Sequence, residues 1–267
     1  MRNVRIEDVR EYWDKNPLCA SAIPHPLGSP EFFEYYNRLR EANEPLDFQE
    51  RLHEYTRFSG KRVLDVGCGN GYILSRYALA GAHVSGVDIT PTGVRLSRSR
   101  FEQMGLEGDI REANAEQLPF EDESFDCVCS MGVLHHTPDM SSAIREIHRV
   151  LKPGGRLIIM LYHRNSLLYR LTFGLERLLK GKPLGQSVDE VDGYGNPKGE
   201  VFSQNEVKRL LAPRFTDVKT FLGLLQWWML PRFSHGWFKD AFLKKLERWL
   251  GWFVYAKAYK APGAWKS

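Results

Sequence analysis

The feature that most constrains the fold is a short apolar run that ends in a glycine-rich turn. Residues 62–66 are typical of a buried strand, and Gly67-Cys68-Gly69-Asn70-Gly71 follows directly. Glycines at alternate positions let the backbone bend tightly and approach a ligand without a Cβ in the way. A helix predicted from Tyr72 to Leu79 would present unpaired N–H groups at its start. The turn is therefore either a bare strand-to-helix connection or one wall of a ligand site.

Short apolar runs continue to alternate with helical periodicity after this turn. The pattern predicts a doubly wound α/β unit. The predicted strands cover residues 83–88, 109–112, 125–130 and 156–161, with further candidates at 216–222 and 252–260. The predicted helices cover residues 91–104 and 140–151, and a capping box at Ser203 and Glu206 opens another that runs through Leu211.

The flanks of this unit differ from it in composition. We expect residues 56–162 to form the core and residues 1–55, which are aromatic and helical, to form a cap segment. Residues 163–202 combine a helical leucine stripe with a glycine-rich loop, which predicts a cap or lid insertion. Residues 203–267 return to the core pattern around an aromatic and basic insertion at 225–250.

Composition narrows the functional classes. The four cysteines fit neither a disulfide framework nor paired metal ligands, and no signal or spanning segment is evident, so a cytoplasmic protein without a metal is expected. Residues 1–162 hold 19 Lys/Arg against 24 Asp/Glu, which argues against a nucleic-acid groove. Residues 202–267 hold 12 against 4, a basic excess that suits either a solvated face or an anionic surface.

Two apolar stripes at helical spacing carry basic neighbours. One lies in residues 167–179, and the other is formed by Phe238, Phe242, Leu246, Trp249, Leu250 and Phe253. Basic amphipathic helices with tryptophan can lie in a membrane interface. Stripes of this kind more often pack as core, here as a lid over the sheet. Peripheral membrane contact and internal packing therefore both remain open.

The spacing of polar residues separates the candidate cofactors. The dinucleotide fingerprint needs a third small residue three positions after Gly69, and Tyr72 stands there. Asp88 ends the second strand, where a carboxylate can accept hydrogen bonds from both ribose hydroxyls or cap the helix from Pro91. Asn114 and Glu116 end the third strand, at the edge where open α/β sheets bind ligands.

Taken in order, six segments resemble the successive motifs of class I S-adenosylmethionine-dependent methyltransferases. They are residues 65–71, 86–88, 115–120, 124–126, 133–139 and 151–157. The resemblance covers residues 61–162, about 100 of the 267. It implies a Rossmann-like, seven-stranded, mostly parallel sheet with an antiparallel last strand, and S-adenosyl-L-methionine as cofactor.

The resemblance also implies roles for individual residues. Asp65 and the turn residues would hold the methionine part of the cofactor, Asp88 the ribose, and Ile89 the adenine. One departure is Asn114, where the family often has aspartate. The residues expected to contact the cofactor are Asp65, Gly67, Cys68, Gly69, Gly71, Asp88, Ile89, Asn114, Ala115, Glu116, Ser130 and Met131.

Catalysis on such a site is mainly alignment of a nucleophile with the methyl group, and a base is needed only when the nucleophile carries a proton. His135 and His136 follow the fourth strand and are the candidate bases, with His135 ahead. Aromatic candidates for the acceptor pocket are Tyr12, Tyr162, His163 and Tyr194.

The sequence therefore predicts a methyltransferase that acts on an oxygen, nitrogen or carbon atom of a small molecule. The chain reads Ser130-Met131-Gly132-Val133 after the fourth strand, with no Asn-Pro-Pro-Tyr type motif to grip a flipped base, which disfavours a nucleic-acid substrate. Two alternatives are a non-catalytic S-adenosylmethionine-binding partner or sensor, and an NAD-dependent oxidoreductase, which Tyr72 opposes.

Overall fold

The computed structural model describes residues 4–173, 195–226, 229 and 240–262. Its strands are β1 (Arg62–Val66), β2 (His83–Asp88), β3 (Asp109–Glu112), β4 (Phe125–Met131), β5 (Leu151–His163), β6 (Val201–Phe202), β7 (Phe215–Gly223) and β8 (Phe253–Lys260). Its α-helices are α1 (Ile6–Lys15), α2 (Pro30–Asn43), α3 (Leu46–His53), α4 (Tyr72–Leu79), α5 (Pro91–Met104), α6 (Met140–Val150), α7 (Gln204–Leu211) and α8 (Asp240–Leu250).

These strands form one mixed sheet in the order β3-β2-β1-β4-β5-β8-β7. Strands β1 to β5 are parallel to one another, and β8 is antiparallel to both β5 and β7. The predicted doubly wound sheet with an antiparallel last strand is confirmed. The strand order reverses between β1 and β4, and in such sheets ligands bind at the carboxyl ends of the strands beside that reversal.

The central strands of the sheet are buried on both faces, as the continuous apolar runs of β1 and β4 require. On one face α2 and α3 join α4 and α5, with Phe32, Leu52 and Tyr77 in a single core cluster. On the other face α6 and α7 pack through Ile147 and Val207 in a second cluster.

Two features differ from the sequence prediction. The strand β5 begins at Leu151 instead of Arg156, because Leu151 pairs with Phe125 before the ladder becomes irregular around Gly154. The two-residue strand β6 pairs with the end of β5, and two residues leave too little pattern to detect.

Some predicted elements fall wholly or partly outside the described residues. The helix expected over 167–179 is described only as a π-helical turn, Leu168–Phe173. Tyr194 and residues 227, 228 and 230–239 lie outside the described ranges. The capping box at Ser203 and Glu206 is present at the start of α7, as predicted. Within the described ranges no helix combines the length and hydropathy needed to span a membrane.

The N-terminal helix α2 is fixed over the glycine turn by a buried arginine of α5. The Nε of Arg100 donates to the Asn70 carbonyl (2.7 Å), and its Nη1 donates to Asn37 Oδ1 (2.8 Å). Its guanidinium lies 4.5 Å from the ring centroid of Phe33. Burial lowers the pKa of Arg100 to about 10. The cap and the turn are therefore one packed unit.

Candidate functional site

The carboxyl ends of β1, β2 and β4 open into a cavity of about 410 Å³ beneath α1 and α2. Its position at the reversal of strand order is where the fold predicts a ligand site. The cavity has a polar side, formed by the glycine turn and the end of β2, and an aromatic side, formed by the end of β5 and the start of β8.

The three glycines of the turn serve different purposes. All have positive φ, between 52° and 80°. A Cβ on Gly67 would lie 2.2 Å from a methyl of Val133, and one on Gly71 would lie 2.5 Å from Ser97 Oγ. A Cβ on Gly69 would meet no described atom within 4 Å, and Gly69 lines the cavity, whereas Gly71 does not. Gly67 and Gly71 are thus required by packing, and Gly69 borders the space for a ligand.

Asp88 lies at the end of β2 with its carboxylate on the cavity. Its Oδ2 accepts from the Gly69 N–H (2.9 Å), and its Oδ1 accepts from the N–H (2.9 Å) and hydroxyl (2.7 Å) of Thr90. The alternative role as helix cap does not hold, because Thr90 is the N-cap of α5 and accepts from the Gly93 N–H. Burial raises the pKa of Asp88.

Asp65 is the next-to-last residue of β1, is 3% exposed and belongs to the cavity lining. Its Oδ1 accepts a hydrogen bond from the Cys129 thiol at 3.4 Å. Burial, with a smaller contribution from Asp88, raises the pKa of Asp65 to about 7. A cationic group bound beside this carboxylate would favour its ionised form.

Arg40 is a cavity residue that sequence reasoning missed. Its Nη2 forms an ion pair with Glu44 (2.7 Å), and its Nε has no hydrogen-bond partner among the described residues. Glu44 in turn accepts from the hydroxyl of Tyr255 (2.5 Å). In sequence, Arg40 and Glu44 look like an ordinary i,i+4 surface pair. Their burial depends on how α2 docks, which no local pattern reveals.

Only some of the residues predicted to contact the adenine and the sulfonium group of the cofactor line the cavity. Ile89, Asn114, Ala115 and Met131 line the cavity, as does Cys68. Glu116 does not, because its Oε1 accepts from the Asp139 N–H (2.8 Å). Ser130 is fully buried and donates to the Val66 carbonyl (2.9 Å).

The structure reverses the order of the two candidate bases. His135 is fully buried away from the cavity, its ring centroid 4.1 Å from those of His136 and Tyr162. Neither of its ring nitrogens has a hydrogen-bond partner in the described ranges. Burial lowers the pKa of His135 well below its usual value, so the ring stays neutral. His136 lines the cavity, and its Nδ1 lies 2.6 Å from the Lys198 carbonyl oxygen.

The aromatic side of the cavity contains one of the four predicted acceptor residues. Tyr162 lines it and lies nearly parallel to Trp252 and Phe253, at interplanar angles of 20° and 14°. Tyr12 packs on Trp13, which lines the cavity in its place.

Of the other two predicted acceptor residues, the structure describes only His163. His163 is buried and its Nδ1 contacts the Gly251 carbonyl (3.0 Å), outside the cavity lining. Tyr194 lies outside the described residues.

Comparison with known proteins agrees with this architecture. Residues 64–159 match a family model described as a methyltransferase domain. Ubiquinone biosynthesis O-methyltransferases of Pseudomonas putida (strain W619) and Azotobacter vinelandii (strain DJ) are each 38% identical over 136 residues. That match covers 50% of this chain and 59% of each relative, so the chain matches little more than half the length of these proteins.

Solved structures with low sequence identity share the fold. The geranyl diphosphate C-methyltransferase of Streptomyces coelicolor A3(2), crystallised with Mg²⁺, geranyl diphosphate and S-adenosyl-L-homocysteine, is 18% identical. The structural match covers 96% of this chain and 98% of the Streptomyces chain, with a TM-score of 0.63. A methyltransferase of Methanosarcina mazei is 23% identical, and the match covers 79% of this chain and 97% of the Methanosarcina chain with a TM-score of 0.55.

The open side of Gly69 leads to a first prediction. Gly69→Ala should weaken binding of S-adenosyl-L-homocysteine at least tenfold in calorimetry, because the added methyl would enter the ligand space. Gly105→Ala is the matched control, since Gly105 ends α5 with φ 62° and open space around its Cα. Both changes should cost about 1–2 kcal/mol of stability for left-handed strain. If the two variants bound S-adenosyl-L-homocysteine equally well, the turn would not belong to the binding site.

The raised pKa of Asp65 leads to a second prediction. An ammonium group bound beside Asp65 requires the ionised carboxylate, so affinity for S-adenosyl-L-homocysteine should fall as the pH falls through about 7. We expect about tenfold weaker binding at pH 6 than at pH 8. Asp65→Asn should bind weakly at both values. If the affinity of the wild-type protein did not depend on pH, the ammonium group would not lie beside Asp65.

Proposed function

Because residues 64–159 match a family model described as a methyltransferase domain, we propose that the chain transfers a methyl group from S-adenosyl-L-methionine to a small-molecule acceptor. The observation that carries the proposal is the set of charged groups on one cavity. Asp88 lies at one end, and Asp65 and Arg40 lie on the same lining. Such a set suits a ligand with a ribose and a zwitterionic amino acid.

Each charged residue has a distinct task in this proposal. Asp88 would accept a hydrogen bond from a ribose hydroxyl through Oδ2, which among the described residues accepts from the Gly69 N–H alone, whereas Oδ1 already accepts two hydrogen bonds from Thr90. Asp65 would pair with the ammonium group. Arg40, which belongs to the cavity lining, would pair with the carboxylate, while Glu44 and Tyr255 hold the arginine in place.

When bound, S-adenosyl-L-methionine supplies an electrophilic methyl group on a positively charged sulfur. The remaining work of the chain is to align the acceptor with that group and exclude water, which can contribute about 7–11 kcal/mol. Met131 and His136 lie on the lining near the end of β4, and Tyr162, Trp252 and Phe253 form an aromatic wall. This arrangement favours a planar, largely apolar acceptor.

The acceptor atom is an oxygen, nitrogen or carbon in this proposal. The curated relatives are named O-methyltransferases, which favours oxygen, whereas the structural neighbour from Streptomyces is named a C-methyltransferase. An NAD-dependent oxidoreductase is disfavoured because Tyr72 fills the third small position, where its hydroxyl bonds to Gln49 and Glu41. A non-catalytic sensor is disfavoured because it has no need of the aromatic wall.

Methyl transfer itself provides the test. The protein, S-adenosyl-L-methionine and a small-molecule extract should yield S-adenosyl-L-homocysteine together with a metabolite that has gained one methyl group, measured by mass spectrometry. Asp88→Asn should weaken cofactor binding about 10- to 100-fold, since hydrogen bonds to a charged group contribute about 1.5–3 kcal/mol. Asp139→Asn, an exposed helix cap outside the cavity, should bind normally. Tight binding of NAD and none of S-adenosyl-L-methionine would refute the proposal.

We further propose a peripheral contact with anionic lipid through α8. Phe242 and Trp249 on this helix are 42% and 74% exposed. Lys244, Lys245 and Arg248 are exposed beside them. The opposite side of α8 packs through the buried Leu243, and Glu247 accepts from the N–H of Leu224, a cavity residue. A basic aromatic face beside the cavity suits delivery of an apolar acceptor from a lipid surface.

Vesicle flotation would test the lipid contact. The protein should float with vesicles of phosphatidylglycerol and phosphatidylcholine and not with phosphatidylcholine alone. The pair Phe242→Ala and Trp249→Ala should lose flotation, as should Lys244→Glu with Lys245→Glu. The controls are Leu79→Ala with Met104→Ala for exposed apolar area, and Lys208→Glu with Lys219→Glu for charge. Equal flotation of the α8 variants and their controls would contradict the contact.

A further inference from the structure

One wall of the cavity comes from a loop rather than from a helix or strand. We call residues 113–124 the β3–β4 loop, and these residues form neither helix nor strand. Asn114 and Ala115 near its start line the cavity, and they are residues expected beside the adenine. The Ala113 N–H donates to the Asp88 carbonyl (2.9 Å), which ties the loop to β2 at one end. The contacts that hold the rest of the loop therefore determine the shape of this wall.

Two side chains of α6 hold the middle of the β3–β4 loop. The Oε2 of Glu146 accepts from the Leu118 N–H (2.9 Å). Arg149 donates to the carbonyls of Leu118 (3.0 Å) and Phe120 (2.7 Å). Both backbone polar groups of the buried Leu118 are thus bonded to α6. Neither Glu146 nor Arg149 belongs to the lining of the described cavity.

The guanidinium group of Arg149 is used completely. Besides its bonds to the two carbonyls, it donates from Nε (2.9 Å) and Nη2 (2.8 Å) to the two carboxylate oxygens of Glu146. Its Nη1 also donates to Asp122 (2.8 Å). An arginine has five N–H donors in a fixed plane, and here five hydrogen bonds use them. The planar fork therefore fixes the loop and Glu146 relative to each other, which a lysine ammonium group could not do.

Glu116 connects the same loop to the start of α6. Its Oε1 accepts from the N–H of Asp139, which is the N-cap of that helix (2.8 Å). Its own N–H donates to Asn114 Oδ1 (2.9 Å), beside the cavity. The sequence predicted that Glu116 contacts the cofactor, whereas in the structure it holds the loop that carries Asn114 and Ala115.

We propose that Glu146 and Arg149 are positioning residues for recognition of the base, holding Asn114 and Ala115 in one arrangement that accepts a 6-amino purine and rejects a 6-oxo purine. The inference rests on the proposed binding of S-adenosyl-L-methionine. Adenine donates from its 6-amino group and accepts at N1, whereas hypoxanthine accepts at its 6-oxygen and donates from N1. A loop fixed in one shape can satisfy only one of these patterns, and a released loop can rearrange to satisfy either.

Calorimetry with S-adenosyl-L-homocysteine and S-inosyl-L-homocysteine, which carries hypoxanthine, would test this role. The wild-type protein should prefer the adenine compound at least tenfold, because the wrong base leaves polar groups unpaired. Arg149→Met should reduce the preference to about threefold or less, mainly by weaker binding of the adenine compound. Glu146→Gln should give an intermediate preference, because its amide oxygen can still accept from Leu118 but its charge is lost.

Arg156→Met is the matched control. Arg156 is also a paired arginine with little exposure, bonded to Glu54 (3.0 Å), and it lies outside the lining of the described cavity. Glu54 keeps Lys257 as a partner (2.8 Å) after this change. The control should lose stability and keep the full preference for adenine. A general loss of stability would therefore be distinguished from a loss of base recognition.

Hydrogen exchange of the free protein, followed by mass spectrometry, provides a second measurement that needs no ligand. Peptides that cover residues 114–120 should exchange at least tenfold faster in Arg149→Met than in the wild-type protein or Arg156→Met. Unchanged exchange in Arg149→Met, or faster exchange with the adenine preference intact, would overturn the proposal. Failure of the wild-type protein to bind S-adenosyl-L-homocysteine, with exchange as expected, would instead reject the proposed function.

Discussion

The packing of the turn between β1 and α4 is the constraint on which the site depends. Val133 and Ser97 occupy the places that side chains at positions 67 and 71 would need. The chain can therefore pass between the strand and the helix only with glycine at both positions. The same path directs the Gly69 N–H at Asp88 and the Asn70 carbonyl at Arg100. One set of contacts therefore fixes the glycine turn, the Asp88 carboxylate and the cap helix α2.

The buried charged residues beside this turn determine the chemical character of the cavity. Asp65 and Asp88 are carboxylates held in a buried setting, and burial raises the pKa of each. Burying charge is costly unless it is paired. A cationic ligand would relieve this cost at Asp65, and Arg40 belongs to the same cavity lining. The lining therefore combines charges of both signs with an aromatic wall.

Local patterns in the sequence predicted much of the fold. The apolar run before Gly67, the Pro91 helix start and the Ser203–Glu206 capping box all act within a few residues. Contacts between distant parts of the chain could not be predicted in this way. Lys198 meets His136 across 62 residues, and Tyr255 meets Glu44 across 211. Neither pair leaves a periodic signal.

In the candidate site too, local sequence patterns predicted some features, and tertiary packing decided the others. The sequence prediction put Asp65 and Asp88 at the carboxyl ends of two strands and His136 in the loop after a third, and all three residues belong to the cavity lining. Trp13 lines the cavity and the predicted Tyr12 does not, and His136 lines it and the preferred base His135 does not. Neighbours on a short helix or turn face different ways, and only tertiary packing decides between them. The cofactor and acceptor roles of these residues stay predictions.

A crystal structure of the protein grown with S-adenosyl-L-homocysteine would show whether this cavity binds the cofactor. We expect the ribose hydroxyls on Asp88, the ammonium group on Asp65 and the carboxylate at Arg40, with the sulfur toward Met131 and His136. A nucleoside bound in another place, or in this cavity with its ribose away from Asp88, would contradict it.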